Sequence, residues 1–384
     1  MEKRKIILFM SIVLILLFLT ACTNNDITGE VTLNEDTIKI GMIYPVTGGA
    51  AAFGIPAKQG VELAVKEINE KGGINGKQIE LIFQDSECDP LKGVNAISKL
   101  IHVDRVKYII GDVCSTVVVP IAPIAEENNV LLIAQGSSPD ITLLGDYIFR
   151  NWPSDIAQAS VMAKYIKKIG IKKIVVINVN NAYGNGLGDS FIKEFKELRG
   201  EILLTSKFQP DASDFRTILT KIKDSDAEAV YIVSQAGEVA SFSKQMLELD
   251  IDLPIYGGDD LNAKNSIDSA EGTLEGAVCA LPYIDENSQS VKQFSQRFEV
   301  NFGEEPSFLL VSVISYDAVG LFAEAMDNID YNNVDLVKDN LYRIEKYPGV
   351  SGSTTIDENG DVIKPYGIYR IVDGETKLIA RSKV

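Results

Sequence analysis

The chain has 384 residues, of which 46% are hydrophobic and 24% are charged, a composition typical of well-cored globular proteins rather than disordered ones. Its formal net charge of −17 argues against nucleic acid or an anionic lipid surface as a partner. A single histidine and four cysteines leave little material for a metal site or for histidine-based catalysis.

The N-terminal segment predicts export. Basic residues at positions 3–5 precede an apolar run over residues 6–19, which suits a signal sequence and is short for a membrane span of ~20 residues. The run ends in Leu-Thr-Ala-Cys, which resembles the lipobox of bacterial and archaeal lipoproteins. We therefore predict a signal peptide over residues 1–21, a lipid on Cys22 and a polar tether over residues 22–37. The alternative is an uncleaved anchor helix with an incidental cysteine.

These N-terminal features together predict a protein that is lipid-anchored to the outer face of the cell membrane. The membrane is then a partner through the lipid alone. We expect no later apolar run long enough to span a bilayer.

The chain up to about residue 151 alternates between β-rich apolar runs and amphipathic helices. Strands are predicted at 37–45, 77–86, 107–113, 130–135 and 147–151. The first helix shows apolar residues at helical spacing and stops at Gly72-Gly73. Near-continuous apolar strands separated by helices indicate a parallel sheet that is covered on both faces.

The same pattern starts again after a boundary near Arg150–Pro153. Further strands are predicted at 172–180, 201–208, 227–234, 253–260 and 276–283. Helices around 287–303 and 306–327 are expected to rejoin the first lobe. The tail alternates β residues around Asn359-Gly360, which predicts a type I′ hairpin. The sequence thus predicts an α/β protein of two lobes that share an architecture.

The sequence contains no recognisable catalytic or metal-binding motif. No G-x-S-x-G elbow, phosphate loop or dinucleotide fingerprint is present. There is no C-x-x-C pair, and His102 is expected to be a surface residue near a helix end. The carboxylates in Asp-Glu-Asn-Gly-Asp (357–361) fit a solvated turn better than a calcium loop. We therefore expect no metal, no cofactor and no enzymatic activity.

Export makes a disulfide between the remaining cysteines plausible, because disulfides form in oxidising compartments outside the cytoplasm. Cys88 and Cys114 both follow predicted strands, which can bring them to one edge of a sheet. We predict a disulfide between them and a buried, unpaired Cys279. The alternative is three reduced cysteines.

Polar side chains collect where the predicted strands end. In an open parallel sheet, ligands bind beyond the carboxyl ends of the strands. The strand-end residues are Ser115, Ser137, Tyr183, Gln235 and Asp259. Ser115 is expected to open a helix, whose free N–H groups favour an anion, and Asp259 suits an ammonium group. Each residue alone also has a structural explanation, because Ser caps helices, Asp begins turns and Tyr fills sheet edges. Their shared position predicts a site for a zwitterion between the lobes.

The sequence resembles the branched-chain amino-acid (Leu/Ile/Val) binding-protein family, the solute receptors of ABC importers. The resemblance runs from about Ile38 to the tail. It is densest in GMIYPVTGGAAAFGIPAKQGVELAVKEINEKGGINGKQIELIFQDSECDP, GDVCSTVVVPIAPIAEENNVLLIAQGSSPDIT, NAYGNGLG, SYDAVGLFAEAM and GSTTIDENGD.

The resemblance implies the type I periplasmic-binding-protein fold, in which two doubly wound parallel-sheet lobes are joined by a three-segment hinge and close on a ligand. It places lobe 1 at residues 38–152 and 283–348, and lobe 2 at residues 153–282 and 349–384. The family also implies an ABC permease as membrane partner, and we expect a monomer.

By position, the resemblance assigns Ser115 and Ser137 to the ligand carboxylate and Asp259 to its ammonium group. Tyr183 matches an aromatic residue beside the ligand, and Phe53 matches another in the first loop. The Cys88–Cys114 pair matches a disulfide of some members. Trp152 and Gln235 also fall at ligand-binding positions but depart from the family pattern, so side-chain specificity for Leu, Ile or Val does not follow.

The expected function is capture of an amino acid or a similar small carboxylate for delivery to a permease. One alternative is a receptor subunit that reports the ligand to a signalling partner. Another is a binder of an amide or urea-type solute, as some relatives are. An enzyme on a similar fold is the third alternative.

Overall fold

A computed structural model describes residues 37–382, so the predicted signal peptide, Cys22 and almost all of the predicted tether lie outside the described residues. The strands of the described range are β1 (Thr37–Tyr44), β2 (Gln78–Asp85), β3 (Tyr108–Gly111), β4 (Leu131–Ala134), β5 (Ile148–Arg150), β6 (Lys173–Val179), β7 (Glu201–Phe208), β8 (Ala229–Val233), β9 (Ile255–Gly257), β10 (Val278–Pro282), β11 (Tyr347–Gly349), β12 (Gly352–Thr354), β13 (Tyr366–Val372) and β14 (Glu375–Arg381). The helices are α1 (Ala51–Glu70), α2 (Pro90–His102), α3 (Ser115–Glu127), α4 (Asp155–Lys168), α5 (Ala182–Glu197), α6 (Arg216–Lys223), α7 (Ala236–Glu248), α8 (Lys264–Ala270), α9 (Gln289–Phe302), α10 (Leu309–Met326) and α11 (Val334–Tyr342).

The first lobe is built on a five-stranded sheet in the order β2-β1-β3-β4-β5. Strands β1, β3, β4 and β5 run parallel, with Ile109 opposite both Gly41 and Leu132. The two faces of the sheet bury different residues. Met42 and Ile133 pack on the side of α1 and α10, whereas Ile109 and Leu132 pack with α2 and α3. Strands buried on both faces explain the near-continuous apolar runs in the sequence.

The second lobe is built on a seven-stranded sheet in the order β14-β13-β10-β9-β8-β6-β7. The five strands from β10 to the edge strand β7 are parallel, while β13 pairs antiparallel with both β10 and β14. Val176 and Tyr231 pack with residues of α4 and α5 on one face, and Val175 and Val230 share the other face with α7. The α/β lobes expected from the sequence are present, but the second sheet is mixed rather than wholly parallel.

The hairpin predicted at Asn359-Gly360 is wrong. That segment forms only an isolated antiparallel bridge between Ile356 and Val362. Gly360 has positive φ but Asn359 does not, whereas a type I′ turn needs positive φ at both central residues. The long hairpin, β13–β14, instead turns at Asp373 and Gly374, whose φ angles are +56° and +73°. Asp-Gly is as favourable a type I′ pair as Asn-Gly, and here it lies between two seven-residue strands that pair with each other.

Helix α10 corrects a second expectation, because by length and composition alone it is apolar enough to cross a membrane. It is instead mostly buried, and it packs along α1. Gly60 of α1 makes this contact close, since a Cβ at that position would lie 2.2 Å from the carbonyl oxygen of Ser312. α10 is therefore a core helix of the first lobe.

The chain passes between the lobes three times. We call residues 151–154, between β5 and α4, the first crossing, and residues 283–288, between β10 and α9, the second crossing. The third crossing, residues 355–365, leads from the β11–β12 hairpin to β13. The two sheets are thus connected by three short segments, which is the geometry of a hinge.

Candidate functional site

Residues that follow strands of both sheets line one cavity, which has an empty volume of about 700 Å³ including the part that opens to solvent. All seven residues that the sequence singled out for binding line it: Phe53, Ser115, Ser137, Trp152, Tyr183, Gln235 and Asp259. Phe53 lies in the first turn of α1 and not in a loop, because α1 begins at Ala51. Trp152 belongs to the first crossing and is 5% exposed. The structure therefore brings together residues as far apart in sequence as Phe53 and Asp259.

One wall of the cavity is built to hold an anion. Ser115 is the first residue of α3, and Cys114 supplies the cap, whose carbonyl accepts hydrogen bonds from Val117 and Val118. The N–H groups at the start of a helix have no intrahelical acceptor, so those of Ser115 and Thr116 are available to a ligand. Both residues line the cavity.

The hydroxyl of Ser115 also shapes the neighbouring loop. Its Oγ accepts hydrogen bonds from the N–H groups of Ser137 and Ser138, each at 3.0 Å. With its lone pairs engaged, the Ser115 hydroxyl retains its proton for donation to a ligand. Ser115 is 2% exposed and Ser137 is 5% exposed, so both hydroxyls are held in a largely desolvated position.

A disulfide joins Cys88 and Cys114 beside this wall, and Cys279 is buried without a disulfide partner in the part of the chain that the structure describes. Asp112 ties the same two loops, because its carboxylate accepts from the hydroxyl of Ser86 and, at 2.7 Å, from the N–H of Cys114. The first residue of α3 is therefore fixed by a covalent bond and by a buried carboxylate.

Removing the disulfide with the double substitution Cys88→Ser and Cys114→Ser is expected to lower the free energy of unfolding by roughly 3 kcal/mol. The bridge spans 26 positions, so its loss releases chain entropy in the unfolded state. Urea unfolding of the purified wild type and the double variant measures this difference. The matched control is Cys279→Ser, which removes a thiol but no bridge. Identical midpoints for the wild type and the double variant would contradict the prediction.

The opposite wall carries carboxylates. Asp259 follows β9 and is 7% exposed, and its Oδ1 accepts from Nε2 of Gln158, which also donates to the carbonyl of Ala280. Burial raises the pKa of Asp259 to about 7, against the lowering effect of the Gln158 hydrogen bond. Asp260 lines the cavity as well, and burial raises its pKa too. Among the described residues, no Lys, Arg or His lines this cavity.

Tyr183 places its hydroxyl next to these carboxylates. Its Oη accepts a hydrogen bond from the N–H of Asp259 at 3.2 Å. The close approach depends on Gly258, since a Cβ there would lie 2.3 Å from this hydroxyl. A glycine between β9 and Asp259 is thus required for the tyrosine to reach the cavity wall.

A further carboxylate, that of Asp155, lies behind the cavity at the start of α4 and is completely buried. Neither of its oxygens has a hydrogen-bond partner of good geometry within the described residues. Burial, followed by the charge of Asp259, raises its pKa to about 8, although Ser137 and Arg150 lie close enough to oppose the shift. Asp155 and Asp259 therefore resist ionising together in the empty protein.

Replacing Asp155 by Asn is expected to stabilise the unliganded protein at pH 9 by on the order of 1–3 kcal/mol. The folded-state pKa of about 8 lies above the unfolded value of roughly 3.9, so the wild type loses stability as pH rises through this window. Asn cannot ionise, so its advantage should shrink toward pH 5. Thermal unfolding from pH 5 to 9 tests this, with the exposed Asp268→Asn as control. Parallel pH profiles for wild type and Asp155→Asn would count against it.

Some residues at the site escaped the sequence reasoning. The sequence predicts Gln135 as the end of a strand, but β4 ends at Ala134. The Gln135 side chain accepts a hydrogen bond from Tyr44 and donates one to Ser315 at the cavity wall. Val311 reaches the cavity from α10, and no local signal marks it. Thr116, Asn181 and Asp260 also line it, and each lies next to one of the predicted strand-end residues or directly after a strand, which is the signal that could have found them.

Comparison with known proteins assigns the chain to a family. A family model described as periplasmic binding protein matches residues 37–376, which is nearly the whole described chain. The chain belongs to the periplasmic binding protein family. This family consists of solute-binding proteins rather than enzymes, and periplasmic binding proteins function outside the cytoplasm.

Individual relatives of this periplasmic binding protein match over most of their length. The leucine-, isoleucine-, valine-, threonine-, and alanine-binding protein of Pseudomonas aeruginosa is 28% identical, over 86% of this chain and 88% of that protein. The branched-chain amino acid transporter substrate binding protein LivJ from Streptococcus pneumoniae, solved in complex with isoleucine, is 28% identical with a TM-score of 0.79, over 91% of this chain and 99% of LivJ.

A third match is the solute binding protein of an ABC transporter from Rhodopseudomonas palustris, solved in complex with 3,4-dihydroxybenzoic acid. It is 27% identical with a TM-score of 0.77, over 91% of this chain and 98% of that protein. These similarities confirm both the predicted family resemblance and the predicted two-lobed fold.

Proposed function

We propose that this protein is the extracytoplasmic solute-binding subunit of an ABC importer and that it binds an amino acid between its lobes. The observation that carries the proposal is the division of the cavity into an anion-binding wall and an acidic wall. The first offers N–H groups and hydroxyls at Ser115, Thr116 and Ser137, and the second offers Asp259 and Asp260. A ligand with a carboxylate at one end and an ammonium group nearby matches both walls.

The acidic wall favours a zwitterion over a simple carboxylate such as an aromatic acid. A cavity with two carboxyl groups, and with no basic side chain among its described lining residues, favours a ligand that brings positive charge, because an ammonium group stabilises the ionised form of Asp259, whose pKa burial raises to about 7. An aromatic acid without an ammonium group would leave Asp259 buried and unpaired, which costs free energy. An amide or urea-type solute is the second candidate, because its N–H groups also satisfy Asp259 but lack the charge.

The mechanism is closure of the two lobes on the ligand. Lobe 1 supplies the anion-binding wall, and lobe 2 supplies Asp259 and Tyr183. The lobes follow the predicted bounds (38–152 with 283–348, and 153–282 with 349–384), except that the β11–β12 hairpin goes with lobe 1, since the N–H groups of Val350 and Ser351 donate to Asp317 of α10. A ligand that contacts both walls lowers the free energy of the closed arrangement relative to the open one, and the three crossings absorb the movement. The boundaries are part of the proposal.

Delivery to the membrane follows from the same proposal. A lipid on Cys22, linked through the tether, holds the monomeric protein near an ABC permease. That permease recognises the closed, ligand-loaded form. A receptor subunit for a signalling partner would use the same cavity, so only the partner distinguishes the two roles.

Isothermal titration of the purified protein tests the proposal. The panel contains the common amino acids, their amides, urea, benzoate and 3,4-dihydroxybenzoate. We expect at least one amino acid to bind with a Kd in the micromolar range or below. Binding of benzoates or urea in preference to every amino acid, or no binding tighter than millimolar, would contradict it. Mass spectrometry of the recovered ligand checks that it is not turned over.

A further inference from the structure

Arg150 is a buried cation at the junction of the lobes. It is the last residue of β5, directly before the first crossing, and it is 1% exposed. Its Nε donates to Oδ1 of Asp361 at 2.7 Å, and its Nη2 lies 2.7 Å from the same oxygen. Nη2 makes no hydrogen bond of good geometry within the described residues. A guanidinium removed from water is costly unless its charge is paired, so the contacts that Arg150 does make carry information about its role.

Those remaining contacts go to the ligand-binding loop. Nη1 of Arg150 donates to the carbonyl of Ser137 at 3.0 Å and to that of Ser138 at 2.6 Å. The N–H groups of the same two residues donate to Oγ of Ser115. The Ser137–Ser138 segment is therefore held from both sides, by Ser115 through its N–H groups and by Arg150 through its carbonyls.

Asp361, the partner of Arg150, belongs to the third crossing. A closed turn presents it, because the N–H of Asp361 donates to Oδ1 of Asp357 and the N–H of Asp357 donates to the carbonyl of Asp361. The N–H of Arg150 itself donates to the carbonyl of Gly360 at 2.9 Å. The turn at 357–361 is thus bound to the end of β5 by the backbone as well as by the ion pair.

Neither Arg150 nor Asp361 lines the cavity among the described residues. We propose that Arg150 is a positioning residue, which couples the third crossing to the ligand cavity by linking Asp361 to the carbonyls of Ser137 and Ser138. This inference rests on the proposed function for its effect on affinity. Its effect on the loop itself is independent of any ligand. The coupling preorganises the Ser137 hydroxyl and so reduces the ordering that binding would otherwise require.

The test compares Arg150→Lys, Asp361→Asn and the double variant with the wild type. Lysine keeps the charge but carries its three donors on one nitrogen, so it lacks the planar fork with which Arg150 reaches the carboxylate and the two carbonyls from different nitrogens. Asp361→Asn is the milder change and keeps the shape. The matched control is Arg297→Lys, because Nε of Arg297 pairs with Oε1 of Glu67 at 2.7 Å in a partly buried ion pair away from the cavity.

Hydrogen exchange of the unliganded proteins is the first readout. We expect the amides of Ser137 and Ser138 to exchange about tenfold faster in Arg150→Lys and in Asp361→Asn, and unchanged in Arg297→Lys. Titration with the tightest amino acid from the panel is the second. We expect the titration to show about tenfold weaker binding for Arg150→Lys and for Asp361→Asn. The double variant should bind no more weakly than Arg150→Lys, because the two residues act as one unit.

The two readouts distinguish a failure of the proposed function from a failure of the proposed coupling through Arg150. If no amino acid binds the wild type, the proposed function fails, while the exchange experiment still tests the coupling. Unchanged exchange at Ser137 and Ser138 in Asp361→Asn and Arg150→Lys overturns the inference. Equal acceleration in Arg297→Lys overturns it as well, because the effect would then be a general loss of stability.

Discussion

Replacing Asp259 by Asn is expected to weaken binding of the amino-acid ligand about 100-fold at pH 8. The substitution keeps the shape and the Gln158 contact but removes the negative charge that faces the ammonium group. Hydrogen bonds to charged groups contribute about 1.5–3 kcal/mol, and the lost charge also leaves the ligand cation unpaired in a buried place. Isothermal titration of wild type and variant measures the ratio.

The pH profile gives this prediction a second signature. In the unliganded protein burial raises the pKa of Asp259 to about 7, so the side chain is largely protonated below that pH. Binding of an ammonium group requires the ionised form. Wild-type affinity should therefore fall about tenfold per pH unit below pH 7 and level off above it. The Asn variant has no such group to ionise, so its affinity should stay nearly constant across this range.

The control for this experiment is Asp268→Asn, which removes an exposed carboxylate of α8 in the same lobe. It should leave both the affinity and the pH profile unchanged. An Asp259→Asn variant that retains wild-type affinity at pH 8 would exclude Asp259 as the ammonium partner. A wild type whose affinity is independent of pH between 5 and 8 would contradict the proposed ionisation.

Replacing Ser115 by Ala should weaken ligand binding about 30-fold and lower the free energy of unfolding by about 2 kcal/mol. The Ser115 hydroxyl accepts hydrogen bonds from the N–H groups of Ser137 and Ser138, and its own proton is free for donation to the ligand. Alanine leaves two buried donors unpaired, and each such group costs about 1–3 kcal/mol when no water replaces the acceptor. Titration and urea unfolding measure the two effects separately.

Ser312→Ala provides the comparison for Ser115→Ala. Ser312 of α10 is also completely buried, and its hydroxyl donates to the carbonyl of Phe308, the residue before this helix. It should cost some stability without changing affinity. If Ser115→Ala loses stability but keeps wild-type affinity, the hydroxyl has a purely structural role and the carboxylate end of the ligand lies elsewhere.

Much of the candidate site could be predicted because the rule that locates it is local. Ser115, Ser137, Tyr183 and Asp259 each follow a strand, and strand ends can be read from hydrophobic runs. The parallel topology then places all of these ends at one edge of each sheet. Phe53 and Trp152 came from the family resemblance, and the structure places them at the same cavity.

The hairpin at Asn359-Gly360 shows where local signals mislead. The dipeptide is a strong turn signal, and a turn does form there. Its flanks do not pair as strands, since the segment makes contacts with the end of β5 through Gly360 and Asp361. The tertiary contact with β5 therefore determines the conformation of this segment, whereas the local turn preference alone does not decide whether its flanks pair as strands.

The sequence by itself determined the order of the strands from β1 to β10, the two-lobed α/β class and the strand-end residues, because periodicity and turn chemistry act over a few neighbouring positions. Only the tertiary structure decided that Asp155 is buried beside Asp259 and that Arg150 links Asp361 to the Ser137–Ser138 loop. Arg150 and Asp361 are 211 positions apart, and each side chain alone is an ordinary surface residue type. Burial and charge pairing at such separations depend on how the lobes fold together, and no local pattern records them.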